Sequence, residues 1–303
     1  MKKTIILLIL LLTFTGTSTV LCTRGHADTK SVSTLVMDAK SGHVYQKSDA
    51  TTPRPVASIS KLFIIYLALQ KINQGKLKLD QQVTAPADIA ALSHEPALAN
   101  VPLENGQSYS VRDLLSASLI HSANGAIMLL AQAMYGNQAN AVKAINHQAA
   151  NWKLQHYQLV NVTGLNNQSL GSLRVTHTGE TAENKLRAVD VATVAQKLLG
   201  RYEKQVLSIS SQPHVQFALA NDFPTENRML PTQSDYFEDT PVDGLKTGSS
   251  ETAGNCFVGT AKRHGHRLIT VVLGADYQDK DQVFRATHQL MNDAFAKISK
   301  ANS

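Results

Sequence analysis

Cysteine is nearly absent: the chain has two in 303 residues, Cys22 and Cys256. Cys22 falls in a segment expected to be removed, so Cys256 would stand alone. An intramolecular disulfide is then excluded, and stability must come from packing. A cysteine nucleophile is no better supported, because Cys256 opens a strand-like run with no partner base in view and reads as a small core residue. The eleven histidines never fall at metal-ligand spacing. His264 and His266 flank a turn glycine, and His121 reads as a bystander to the residues after it. No metal and no cofactor are expected. Charged residues are sparse at 17%, and Lys2, Lys3 and Arg24 near the N-terminus carry half of the net +6. With no basic run, nucleic acid is excluded as a partner, while the mild positive excess suits an anionic envelope surface. Internal repeats are missing, as is any Gly-, Ser- or Pro-rich linker between separate domains.

The chain opens like a secretory leader. Lys2 and Lys3 precede the unbroken apolar run Ile5–Leu12, and Gly25-His26-Ala27 offers small residues for a signal peptidase. Cleavage is expected after Ala27, which makes residues 1–27 the signal peptide and 28–303 the working domain. The alternative is a retained signal, since the stretch from Thr4 to Cys22 is just long enough to span a bilayer. Leu21 before Cys22 argues against a lipid anchor.

Ser33–Ala39 and His43–Gln46 read as strands around a Lys40-Ser41-Gly42 turn. From Ser60 to Gln74 the residues are apolar nearly all round, the pattern of a buried helix. Ser110 and Asp113 resemble a capping box at the start of another helix. Helical spacing follows over 126–135 and 138–152, and again over 189–202 with Gly200 as a stop. Residues 166–187 are polar without periodicity and read as a surface loop. The last third gives strands at 242–247, 256–262 and 267–274, then a helix over 281–298 with Phe284, Met291, Phe295 and Ile298 on one side. Strands at both ends with helices between predict an α+β fold: an antiparallel sheet completed by the two termini, with helices on its faces.

Three short signals lie in order along this frame. Ser58-Ile59-Ser60-Lys61 puts a hydroxyl and an amine on one face at a helix start. A serine needs a base to become a nucleophile, and a desolvated lysine can be one. The plain alternative is an N-cap serine with an exposed lysine. Ser122-Ala123-Asn124 sits between two helical stretches, where it can relay a proton and hold a carbonyl, or simply turn the chain. Lys246-Thr247-Gly248 places a cation, a hydroxyl and a glycine on a strand, suited to a terminal carboxylate.

That trio resembles the S-x-x-K, S-D-N and K-T-G set of penicillin-binding proteins and class A β-lactamases. From Ser33 to the C-terminus the chain looks like the serine-type D-alanyl-D-alanine carboxypeptidases, the low-molecular-mass penicillin-binding proteins of peptidase family S11. Met37-Asp38-Ala39-Lys40-Ser41-Gly42, Val162-Thr163-Gly164-Leu165, Val242–Gly248 and Ala253-Gly254-Asn255-Cys256 extend the likeness. The resemblance implies a transpeptidase-like fold with a helical subdomain. In that reading Ser58 is the acylated nucleophile and Lys61 the general base, with Ser122 and Asn124 assisting proton transfer and binding the peptide. Lys246, Thr247 and Gly248 hold the carboxylate side, and the backbone N–H groups of Ser58 and Ser249 form the oxyanion hole. The implied partners are the peptidoglycan stem peptide and β-lactam inhibitors. The implied location is secreted and wall-associated, with membrane contact only if the leader is kept. Three departures stand out: Ala123 where many relatives have glycine, a longer 166–187 segment, and an end soon after the catalytic region, with no β-rich domain or anchoring helix expected.

Removal of the terminal D-alanine of stem peptides is the expected reaction. A DD-endopeptidase would need the same residues and a wider groove. A class A β-lactamase would need a deacylating glutamate, and residues 157–168 contain no acid. A catalytically silent wall-binding protein would have no reason to keep Ser58, Lys61 and Lys246 together.

Overall fold

The computed structural model describes residues 32–217 and 221–301. The leader, its cleavage point and Cys22 lie outside them. Strand β1 (Ser33–Asp38) turns into β2 (Val44–Ser48) where the Asp38 carboxylate accepts the N–H groups of Lys40 at 3.0 Å and Ser41 at 2.7 Å. After β3 (Arg54–Pro55), a 3-10 turn at Ala57–Ser60 runs straight into α1 (Lys61–Asn73). Ser58 therefore sits in the tight turn and Lys61 is the first α-helical residue, one residue later than the expected start at Ser60.

Strand β4 (Gln82–Thr84), α2 (Ala87–Ser93), β5 (Ser108–Ser110), α3 (Val111–Ile120), α4 (Asn124–Tyr135) and α5 (Gln138–Asn151) make up most of the helical region. The expected cap is present: Ser110 Oγ accepts the N–H of Asp113 at 3.1 Å. Strand β6 (Lys185–Leu186) pairs with β3, and α6 (Ala188–Ser210) returns the chain to the sheet. This helix continues through Gly200 and changes direction only at Tyr202 (φ −132°, ψ 25°), so the glycine is no stop. Burial of Val191, Val194, Leu198, Tyr202 and Val206 along one stripe outweighs the ~1 kcal/mol that a glycine costs a helix.

A small ribbon of β7 (His214–Phe217) and β8 (Asn221–Pro224) leads to β9 (Val242–Ser250), β10 (Gly254–Arg263) and β11 (His266–Ala275), and α7 (Gln282–Ala301) closes the chain. The main sheet has the order β2-β1-β11-β10-β9, and every neighbouring pair is antiparallel. β1 meets β11 in the register Ser33 to Leu273 through Asp38 to Leu268, so the two ends of the domain complete one sheet, as expected.

Alternation along these strands sends side chains to two different cores. Val36, Phe257, Leu268 and Val272 pack under Phe284, Met291 and Phe295 of α7. Leu35, Met37, Val258, Ile269 and Val271 face the other way, towards α1 and α6. Helix α1 is the centre of that second core, with every residue from Leu62 to Leu69 buried. Each such burial contributes ~1.5–3 kcal/mol, enough in sum to hold a buried amine at the helix start. The 166–187 segment is not the surface loop its polarity suggested. It carries a 3-10 stretch, Asn167–Leu173, and strand β6, and it buries Asn167, Leu170, Glu183 and Asn184.

Candidate active site

The edge strand β9 runs past the 3-10 turn that carries Ser58. A Cβ placed on Gly248 would lie 2.7 Å from the Val56 carbonyl oxygen and 3.2 Å from the Ser58 nitrogen, so glycine is required for the two backbones to approach. On the opposite side of the turn, Gly164 (φ +85°) packs so tightly that a Cβ would fall 1.9 Å from the Ala57 oxygen. The nucleophile turn is thus clamped between the third motif and the Val162–Leu165 segment.

Four side chains converge at one point, centred on an amine. Lys61 Nζ lies 2.6 Å from Ser58 Oγ, 2.8 Å from Asn124 Oδ1 and 3.5 Å from Ser122 Oγ. Lys61 itself is fully buried. Burial holds its pKa well below the usual lysine range; the nearby charge of Lys246 pushes the same way, and Glu226 opposes both. A neutral Lys61 can donate to Asn124 and Ser122 while its lone pair faces the Ser58 hydroxyl. Asn124 opens α4 rather than lying in the turn. It is fixed by the Ala99 carbonyl, which accepts both its backbone N–H and its side-chain N–H at 3.0 Å. Ser122 adopts φ 62°, a left-handed conformation that the close α3–α4 connection imposes.

Lys246 is also buried, and its Nζ donates to the Thr247 carbonyl at 3.1 Å. Burial lowers its pKa to about 8, with Glu226 opposing the shift. Thr247, Gly248 and Ser249 line a cleft of about 180 Å³ together with Ser58 and Ser122. Ser249 faces Asn255 across the β9–β10 pair and donates its hydroxyl to Asn255 Oδ1 at 2.8 Å. All seven residues singled out from the three motifs, with Ser249, therefore lie at one place.

Other cleft residues carried no motif in the sequence. Glu226, Arg228 and Phe284 contribute to the lining. The Arg228 guanidinium is held by Asp235 and Asp281 at 2.5 Å and lies over the Phe284 ring at 5.4 Å. Only the long-range packing of the 225–237 segment against α7 brings them here, which local patterning does not reveal. His121 Nδ1 is engaged with the Pro224 carbonyl oxygen at 2.9 Å and is 3.9 Å from Glu226. Cys256 is buried at the cleft, and burial pushes its thiol up to about 12, which leaves it inert. No group of three or more His, Cys, Asp or Glu side chains is arranged to hold a metal among the described residues. No helix among them is long and apolar enough to cross a membrane.

An antiparallel sheet with helices on both faces, whose edge strand borders a serine–lysine pair, is the fold of the penicillin-binding proteins. The chain belongs to the D-alanyl-D-alanine carboxypeptidase family, peptidase S11, which it matches over residues 21–277. It is 26% identical over 290 residues to the D-alanyl-D-alanine carboxypeptidase DacF of Bacillus subtilis, covering 90% of this chain but 65% of that relative's length. Among solved structures it is similar to the peptidoglycan synthesis regulatory factor PBP3 of Streptococcus pneumoniae, with 37% identity, a TM-score of 0.81, and coverage of 86% of this chain and 72% of that one. It is also similar to penicillin-binding protein D2 of Listeria monocytogenes in its ampicillin-bound form, with 27% identity, a TM-score of 0.70, and coverage of 87% and 96% respectively.

Proposed function

We propose that the protein is a serine-type D-Ala-D-Ala carboxypeptidase that works through an acyl-enzyme on Ser58. The observation that carries this reading is the buried Lys61 amine 2.6 Å from the Ser58 hydroxyl. Lys61 takes the hydroxyl proton as Oγ attacks the carbonyl between the two D-alanines. The C–N bond then breaks, the proton passes to the leaving amine through Lys61 and Ser122, and D-alanine departs. Water cleaves the resulting ester and regenerates Ser58. Asn124 holds the peptide, Lys246 and Thr247 hold the terminal carboxylate, and the N–H groups of Ser58 and Ser249 receive the oxyanion.

β-Lactams acylate the same serine in this reading, and the ester persists. Among the described residues lining the cleft the one acid is Glu226, and the buried Glu183 of the segment behind the nucleophile turn accepts the Thr252 hydroxyl at 2.7 Å. That favours slow deacylation over β-lactamase turnover. The N-terminal leader, cut after Ala27, delivers residues 28–303 to the cell wall, where peptidoglycan stem peptides are the substrate. Release of D-alanine from an N-acyl-L-Lys-D-Ala-D-Ala peptide tests the assignment. No release, with the protein folded, contradicts it.

Two further results are expected from the third motif. Lys246→Ala should raise KM for that peptide about 10- to 100-fold with a smaller change in kcat, the loss of one charge-assisted contact of ~1.5–3 kcal/mol. Unchanged kinetics would remove Lys246 from carboxylate binding. The pH profile of kcat/KM should be bell-shaped. Lys61 works only when deprotonated, so the rate climbs as pH rises through its lowered pKa. Lys246 works only when charged, so productive binding falls as pH passes about 8. A rate that still climbs well above that value contradicts the assignment.

A further inference from the structure

The nucleophile turn has a support that none of the three motifs contains. Asn184 is completely buried and uses its whole hydrogen-bonding capacity. Its Nδ2 donates to Ser60 Oγ at 2.8 Å and to the Asn161 carbonyl at 2.9 Å, while its Oδ1 accepts from the backbone N–H of Val160 at 2.8 Å and of Asn161 at 3.3 Å. Its own carbonyl accepts the N–H of Val56 at 3.2 Å. Ser60 Oγ in turn donates to the Ala57 carbonyl at 2.9 Å. The chain of bonds therefore ends on the peptide group that joins Ala57 to Ser58.

A trans peptide is planar, with its C=O and N–H pointing to opposite sides. Fixing the Ala57 carbonyl fixes the direction of the Ser58 N–H. Ala57 stands at φ 45°, a conformation that a non-glycine residue leaves unless neighbours hold it. The neighbours here are Ser60 Oγ on one flank and Gly164 pressed against the Ala57 oxygen on the other. Gly164 is placed by Asn161, whose Oδ1 accepts the Gly164 N–H at 2.7 Å and the Thr163 N–H at 3.1 Å. Asn161 Nδ2 also reaches Asn167 Oδ1 at 3.1 Å, within the 166–187 segment.

We infer that Asn184 and Ser60 are positioning residues that set the plane of the Ala57–Ser58 peptide and so aim the Ser58 N–H at the developing oxyanion, making the 160–187 segment a working element of the active site. This rests on the carboxypeptidase reading for the identity of the oxyanion. An N–H that is aimed correctly acts in the transition state and hardly at all in ground-state binding.

The test is the two-step acylation of the full-length protein by benzylpenicillin, resolved into the pre-covalent dissociation constant and the acylation rate constant. The variants are Ser60→Ala, Asn184→Ser and the pair. Each single variant, measured where it is fully folded, is expected to slow acylation on the order of 10-fold or more with the pre-covalent constant nearly unchanged. The melting midpoint should fall, most in Asn184→Ser, because buried N–H and C=O groups lose their partners. Because the two residues act in series, the double variant should be no slower than the worse single one. Amide hydrogen exchange at residues 57–61 should quicken in both singles. Full acylation rates, additive effects of the two changes, or a loss of binding in step with the melting midpoint would each overturn the inference. If the wild type itself is not acylated while exchange at 57–61 still quickens, the carboxypeptidase reading fails and the clamp on the peptide plane stands. Unchanged exchange removes the clamp as well.

Discussion

Ser58→Ala is expected to reduce D-alanine release by a factor on the order of 10⁴ or more while the protein melts within a few degrees of the wild type. The substitution removes one oxygen, whose nearest partner is the Lys61 amine at 2.6 Å. No helix cap depends on it, since the caps of the 3-10 turn and of α1 use no side-chain bond. The backbone clamp by Gly248 and Gly164 stays. The informative control is Ser122→Ala, because Ser122 Oγ is the other hydroxyl near the same amine, at 3.5 Å. If Ser58→Ala keeps its activity and Ser122→Ala loses it, the nucleophile has been assigned to the wrong serine.

Lys61→Met is expected to lower acylation and peptide turnover about 10²- to 10⁴-fold, the usual range for a positioned general base. Methionine matches the lysine stem in length and suits a site with no solvent exposure, so the fold should survive. Removing a buried amine also removes its desolvation cost, which offsets the loss of the Asn124 contact at 2.8 Å. Thermal stability is therefore expected to hold or rise. Stopped-flow acylation checks the rate and calorimetry checks the fold. Near-wild-type acylation in a folded Lys61→Met protein would mean that another group takes the Ser58 proton.

The three motifs were legible because each is local: Ser58 and Lys61 are a single turn apart, Ser122 and Asn124 flank one residue, and Lys246 to Gly248 follow one strand. Their order also matched a known family. The antiparallel sheet was legible from short apolar runs set off by turn residues at both ends of the chain, and α7 from its stripe of Phe284, Met291 and Phe295. What the sequence hid is the side-chain partnerships that only long-range closure creates. Asn184 reads as a polar loop residue, and only its position against Ser60, 124 residues earlier, makes it a buried anchor. Glu226 and Arg228 have no pattern of their own and reach the cleft because Asp235, Asp281 and Phe284 hold Arg228 there. Gly200 misled because a helix-stop signal is worth less than the apolar stripe it interrupts. Polarity misled over 166–187 because buried asparagines look like solvated ones until their partners are known.

The most direct test of the central claim is the intact mass of the protein after brief exposure to benzylpenicillin, followed by fragmentation to locate the modification. The expected result is a persistent adduct of one drug molecule, carried by Ser58 and absent from Ser58→Ala. An adduct on another residue, or a folded protein that leaves the drug untouched, would contradict it.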